Sequence, residues 1–250
     1  MNRQIFINLT VAVIAIMAAF ASCQKDDNDK VKLLETVTEP NGQYRKFEYD
    51  SQNRLTKYLR YNSSGELLET RTLTYSGNDL VKAEFNSATL HEYTKSGNKI
   101  TAIHPGVGTQ TWDLNSNGQL VKYVSEIFGD SQVIDFLFQN GNMVKETYVY
   151  NYEAGGTYTS INEYKYNADK SPMYNCTTPQ WYLIYSFMDI MIGTKNNMTE
   201  RKWSFDSDTG ADTGAVTHEY EYDSDGYPTK RITTDGIGRK EVTDFTYKQL

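Results

Sequence analysis

Histidine and cysteine are scarce, with three of the first and two of the second in 250 residues. His91, His104 and His218 lie far apart, so no short-spaced pair offers itself to a metal, and each reads as a strand or turn residue. Of the cysteines, Cys23 closes an apolar leader and Cys176 is left alone, which excludes a disulfide framework. Cys176, in YNCTTPQW, is either a nucleophile needing a histidine brought alongside by the fold or a small packing residue, and the packing reading is favoured. There is no Gly-x-Ser-x-Gly elbow, no glycine-rich phosphate cradle and no basic stripe, and the net charge of −7 argues against nucleic acid or anionic lipid as a bulk electrostatic partner. Prolines number five and no Pro- or Ser-rich linker divides the chain, which favours a single domain.

What is present begins with an address. Arg3 precedes a 17-residue apolar run, Ile5 to Ala21, then small residues Ala21 and Ser22, then Cys23. This is the layout cut by a signal peptidase that leaves a lipid-bearing cysteine at the new terminus. A membrane-spanning anchor is the competing reading, but the run is at the short edge of a spanning helix and no basic stop-transfer cluster follows. Residues 1–22 are therefore read as signal peptide, 23–32 as a lipidated acidic linker and 33–250 as the folded domain. The CQKDD sequence resembles the lipoprotein export signal of Gram-negative bacteria that display lipoproteins on the cell exterior. In that resemblance Lys25, Asp26 and Asp27 direct transfer to the outer leaflet; as a plain acidic linker they only hold the domain off the membrane.

A phrase then recurs: an aromatic or apolar pair, a polar turn of Asp, Asn, Ser and Gly, an apolar residue and often Lys. It occurs as FEYDSQNRLTK from Phe47, LTYSGNDLVK from Leu73, HEYTKSGNKIT from His91, WDLNSNGQLVK from Trp112, FLFQNGNMVK from Phe136, EYKYNADKSPM from Glu163 and EYEYDSDGYPTK from Glu219. Each copy places a strand end, a tight turn and the next strand start, so the unit is a β-hairpin. Further turn signals between the copies, such as Pro40-Asn41-Gly42 and Ser63-Ser64-Gly65, reverse the chain at the other end. The spacing predicts about sixteen short strands. Val216, His218, Tyr220 and Tyr222 alternate with Thr217, Glu219 and Glu221, the pattern of a half-buried antiparallel strand. The expected fold is all-β with one helix: a long antiparallel meander whose sheet curls rather than staying flat.

These phrases resemble the YD/RHS-type repeats, and Tyr49-Asp50 and Tyr222-Asp223 keep the dipeptide. Degenerate copies of this kind are also similar to a domain of unknown function in surface lipoproteins of gut Gram-negative bacteria. That resemblance implies an outer-membrane, surface-exposed lipoprotein and brings no activity with it. The long YD shells enclose a cargo, and about sixteen strands at ~4.8 Å spacing are not expected to close one.

One segment breaks the pattern. TPQWYLIYSFMDIMIG has Thr178 as N-cap, Pro179 at the first helical position and Gly193 past the end, which predicts a helix over 179–192. It is apolar all round, so it is read as a plug buried in the curled sheet, with a pair of buried strands as the alternative.

Candidate chemistry is thin. Asp206, Asp208 and Asp212 alternate in DSDTGADTG and offer oxygen ligands to calcium, but Ala211 and Thr217 stand where a calcium loop needs Gly and Glu. No other cofactor is implied. Trp112, at the edge of its turn, is the candidate for stacking on a sugar ring, while Trp181 and Trp203 read as core. The functional expectation is a binding module for a glycan or an envelope partner protein, tethered to the membrane by its lipid. A glycan-cleaving enzyme would instead bring two carboxylates together in a cleft, and a structural or adhesive spacer would have no pocket.

Overall fold

The computed structural model describes residues 31–104, 107–186, 194–207 and 210–250. Cys23, Lys25, Asp26 and Asp27 lie outside the described residues. The strands are β1 (Lys32–Thr38), β2 (Tyr44–Tyr49), β3 (Leu55–Tyr61), β4 (Leu67–Ser76), β5 (Asp79–Phe85), β6 (Ala88–Ser96), β7 (Lys99–His104) and β8 (Gly108–Leu114). They continue as β9 (Leu120–Ile127), β10 (Asp130–Gln139), β11 (Asn142–Asn151), β12 (Thr157–Lys170), β13 (Asn196–Ser207), β14 (Gly210–Tyr222), β15 (Pro228–Thr234) and β16 (Lys240–Gln249), with one helix among the described residues, α1 (Gln180–Ser186), between β12 and β13.

Each strand pairs antiparallel with its sequence neighbours, and β1 pairs with β16 from Lys32↔Gln249 to Thr38↔Asp244. The sheet is therefore a closed barrel of sixteen strands, where the sequence pattern led to an open, curled one. Closure follows from the accumulated right-handed twist, and it leaves no unpaired edge to template aggregation.

The repeat has a physical basis in the turns. Asp50 Oδ1 accepts from the backbone N–H of Gln52 and Arg54 at 2.9 and 3.0 Å, and Asp223 Oδ1 does the same for Asp225 and Tyr227. Asn62, Asn115 and Asp235 repeat the arrangement. The third residue after the Asp or Asn has positive φ in all five, which is why it is Gly in four and Asn53 in the fifth. The copy from Glu163 departs from the rest, because β12 runs through it to Lys170 and the chain then leaves the sheet for α1.

The tyrosine of the phrase is equally specific. Tyr49, Tyr75, Tyr166, Tyr220 and Tyr247 donate their hydroxyls to the carbonyls of Leu34, Leu55, Met143, Met198 and Pro228, each on the preceding strand, at 2.6–2.9 Å. Several of these tyrosines sit beside register shifts, for example Glu48/Tyr49 and Thr74/Tyr75. At about 1 kcal/mol net for each bond, the five together stitch one end of the barrel.

A wall of sixteen strands encloses more space than its own side chains fill. This chain fills one half of that space with a plug. Trp181, Tyr182, Leu183 and Ile184 of α1 are buried against Leu34, Leu55, Leu80, Ile100, Trp112, Leu120 and Met143. Thr178 fastens the helix start to the wall, its hydroxyl accepting from the Leu55 N–H at 2.7 Å. The helix and plug thus follow the sequence reading through Ser186, and the remainder of 179–192 lies outside the described residues.

Outside, the barrel wall is charged. Lys46, Glu48, Lys57, Lys82, Glu92, Lys122, Asp135, Lys145, Glu163, Lys202, Lys230 and Asp244 alternate with the buried positions. Neighbouring strands pair some of these charges, as in Lys99–Asp113 at 3.3 Å and Lys230–Glu221 at 2.9 Å. A barrel embedded in a bilayer turns an apolar band outward, and each Lys at the midplane costs about 2–4 kcal/mol. The polarity here is the reverse of that.

Candidate functional site: the unplugged half of the lumen

The turns that carry the repeated phrase, the start of β1, the end of β16 and the plug all lie at one end of the barrel. The other end is the mouth, and there the inward-facing residues change character. Running from plug to mouth, Phe47 gives way to Arg45, Leu73 to Arg71 and Glu69, Trp112 to Gln110, Tyr123 to Ser125, Phe245 to Thr243, and Tyr164 to Asn162 and Ser160. Most of these polar side chains are buried by the wall, Arg71 and Ser160 being half-buried, yet they reach a lumen the plug does not fill.

One cavity in this half, of about 550 Å³, is lined by Glu146, Tyr148, Tyr150, Tyr152, Tyr158, Ser160 and Asn162. The register places it: Tyr148 faces Ser160, Tyr150 faces Tyr158 and Glu146 faces Asn162 across β11 and β12. Because alternate residues share a face, Tyr148, Tyr150 and Tyr152 form one column, with stacked rings 6.3 Å apart and then an edge contact at 4.7 Å. Tyr158 meets Tyr148 edge-on at 5.9 Å and lies the same distance from Phe205. Tyr150 donates to Asp130 across the strand ladder, and that bond pushes its phenol up to about 12.

At the floor of this aromatic wall Asn162 donates to Glu146 at 2.7 Å and accepts from Arg201 at 2.9 Å. Burial pushes the Glu146 carboxyl above its ordinary range, partly offset by Tyr164, Arg201 and Asn162. Arg201 also lies over the Trp203 ring at 5.5 Å. Trp203 in turn packs on Gly214, where an added Cβ would sit 2.0 Å from the indole. Trp203 is therefore a half-buried part of the mouth wall, whereas the sequence pattern read it as core. What the arrangement offers is a set of ring faces beside a carboxyl, an amide, a hydroxyl and a guanidinium.

Two smaller cavities, of about 200 Å³ each, lie elsewhere in the lumen. One brings Arg45, Arg60, Gln43, Tyr58 and Glu39 together, and the other places Arg201, Arg231, His218, Thr243 and Glu241 around the same Glu39. At the mouth end the turn tips Phe128 and Ile237 are 71% and 89% exposed, and Ile103 on β7 is 68% exposed, while the plugged-end turns are polar.

The residues singled out from sequence fare differently. Trp112 is 0% exposed and packs against Tyr93, Tyr123 and Trp181 at 5.4–5.5 Å, so it presents no face to a ligand. Its inward position on β8 points it at the plug, and proximity to a turn did not bring exposure. Trp181 is core, as expected. Asp206 and Asp212 do not converge: Asp212 pairs with the inward Phe205, so it shares that face, while Asp206 alternates to the outside. Asp208 lies outside the described residues, and among those described no three His, Cys, Asp or Glu side chains assemble around a cation. His91 and His218 are buried on lumen strands, and His104 ends β7. Cys176 is partly buried beside Thr178, and burial pushes its thiol up, which suits packing better than nucleophilic attack.

The tyrosine column escaped the sequence reading. Its signal was the spacing in TYVYNY, three same-face tyrosines running into the Gly155-Gly156 turn, which resembles any tyrosine-rich strand until the barrel shows which face is the lumen.

No family model and no curated protein matches the chain. Among solved structures, a porin-like protein from Bacteroides uniformis ATCC 8492 is 16% identical, with 88% of this chain and 96% of that one covered at a TM-score of 0.52. A porin-like protein from Bacteroides vulgatus ATCC 8482 is 12% identical over 88% of this chain and 100% of that one, with a TM-score of 0.43. At such identities the likeness of the first is one of fold.

Proposed function

We propose that this chain is an outer-membrane lipoprotein, displayed at the cell surface, whose lumen binds a glycan without cleaving it. The observation that carries the binding reading is the cavity of four tyrosines set around Glu146 and Asn162. Flat ring faces with a few fixed polar groups are how a protein holds a ligand that is apolar on one side and hydroxyl-rich at its edge. Cleavage calls for two carboxyls flanking the bond, and among the described lining residues of this cavity Glu146 is the one carboxyl. The address rests on the Cys23 leader, and the fold shared with a porin-like protein of Bacteroides agrees with an outer-membrane setting. A charged exterior fits a barrel held at a membrane by lipid rather than threaded through it. The chain enters β1 at the plugged end, the end opposite the mouth.

Two measurements test this. Cys23→Ala should move the protein from the membrane to the soluble fraction of fractionated cells, and retention in the membrane would refute the lipid anchor. Titration of the mature chain against a panel of oligosaccharides should reveal binding, weakened at least about tenfold by Tyr150→Ala or Tyr152→Ala, a loss of about 1.4 kcal/mol. A silent panel, or binding indifferent to both substitutions, would reject the glycan reading. The exposed apolar tips Phe128 and Ile237 favour a second reading, in which the rim docks on an envelope protein.

A further inference from the structure

The three tyrosines of the column are not held alike. Tyr148 faces the buried Ile134 across β10 and β11, and Tyr158 meets it edge-on at 5.9 Å. Tyr150, one step nearer the mouth, faces Gln132, and Tyr152 stands 51% exposed in the turn between β11 and β12. A ring with few apolar neighbours turns about its side-chain bonds, and ordering it when a ligand arrives subtracts from affinity. An aromatic wall that is ready before its ligand therefore needs its outer rings fixed by something other than packing.

Asp130 supplies that support. It lies two residues before Gln132 on β10, so it shares the inward face and stands diagonal to Tyr150. Its Oδ2 accepts from the Tyr150 hydroxyl, and its Oδ1 accepts from the backbone N–H of Glu153, the residue after Tyr152, at 2.8 Å. One carboxylate therefore ties down both the ring of Tyr150 and the turn that carries Tyr152. An ionised acceptor makes such bonds stronger than a neutral one would. The bonds from Tyr150 and Glu153 hold the Asp130 carboxyl below its ordinary range, so it is ionised at neutral pH. The carboxylate is itself placed by the packing of two turns. Glu153 lies over Gly129, its carboxyl carbon 2.6 Å from where a Cβ would stand, so the turn before β10 and the turn before β12 meet directly.

We propose that Asp130 is the positioning residue of the aromatic wall, its carboxylate setting Tyr150 and Tyr152 in the arrangement on which a saccharide stacks. This rests on the glycan reading above and names the residue that prepares its site. The described lining of the cavity does not include Asp130, so it acts through the tyrosines and not on the ligand.

The test joins calorimetric titration of the full mature chain with cello-, malto- and xylo-oligosaccharides to NMR of the chain carrying carbon-13 at the tyrosine Cζ. Asp130→Ala should weaken binding roughly tenfold. Asp130→Asn, which keeps the size and one acceptor, should lose less and guards against a folding defect in the alanine variant, checked by circular dichroism. Tyr150→Phe keeps the ring without the bond, so adding Asp130→Ala to it should cost clearly less than tenfold, because part of what is removed is already gone. Asp135→Ala, on the outer face of the same strand, should leave affinity unchanged. The Tyr150 resonance, assigned by its absence in Tyr150→Phe, should titrate at about 12 in the parent chain and closer to the ordinary phenol value of about 10 in Asp130→Ala. Unchanged affinity in Asp130→Ala, or equal losses in the parent and Tyr150→Phe backgrounds, would overturn the positioning role and leave the glycan reading standing. A parent chain that binds no saccharide would overturn both, and the phenol shift would then report the bond alone.

Discussion

Trp112→Ala should destabilise the barrel by about 3–5 kcal/mol, the range for removing a large aromatic from a packed core. Trp112 is the hub of the plug contact: it meets Tyr123 and Trp181 in tilted geometry, and Tyr93 and His91 edge-on, within 5.4–6.1 Å. Such contacts contribute beyond their buried area. Removing the indole leaves a void between the wall and α1, and a seven-residue helix has little stability of its own with which to hold position. In a chain of this size the loss corresponds to a fall in melting temperature of about 10 °C, which differential scanning calorimetry would register. Near-ultraviolet circular dichroism should lose intensity at the same time, because the coupled aromatic cluster is broken. A variant as stable as the parent, with altered ligand affinity, would return Trp112 to the role suggested by its place beside a turn.

Gly108→Ala is expected to be nearly as costly, by a different route. Gly108 opens β8 at φ +154°, and an added Cβ would lie 1.9 Å from the carbonyl oxygen of Glu126 and 2.9 Å from the Ile127 Cα. Both obstacles are backbone of β9, the strand paired with β8 from Gly108↔Ile127 to Leu114↔Leu120, so relief requires opening that end of the ladder. Overpacking together with forced backbone geometry should cost on the order of 3 kcal/mol. Gly77→Ala is the matching control. Gly77 also has positive φ, at +58°, but nothing lies within 4 Å of its added Cβ, so only the backbone penalty of about 1–2 kcal/mol applies. Urea denaturation of the two variants separates the terms, and equal losses would show that the close approach to Glu126 carries no cost.

The contrast between these glycines shows how far the repeat explains itself. In the phrase, the Asp or Asn, the residue three places on and the tyrosine each have a local reason, because the turn is closed by bonds spanning four residues and the hydroxyl reaches only to the neighbouring strand. Hairpins, strand number, alternation and the buried helix were therefore legible from the chain alone. Gly108 looks like any turn glycine in sequence, and its constraint comes from Glu126, which the chain returns to its side.

Closure was out of reach of the sequence for a related reason. Whether a meander closes depends on twist summed over sixteen strands, and no single residue records that sum. The faces follow from closure. Arg45 and Lys46 are adjacent cations, and Trp112 and Tyr150 both stand on alternating strands near a turn. Only the barrel and its plug decide that Arg45 lines the lumen while Lys46 meets water, and that Trp112 is sealed in core while Tyr150 borders a cavity. Local chemistry, carried by bonds between near neighbours in the chain, determined the hairpin and its repetition. The site is made of residues from several strands that meet only because a lumen wider than its wall can fill was plugged at one end and left polar at the other.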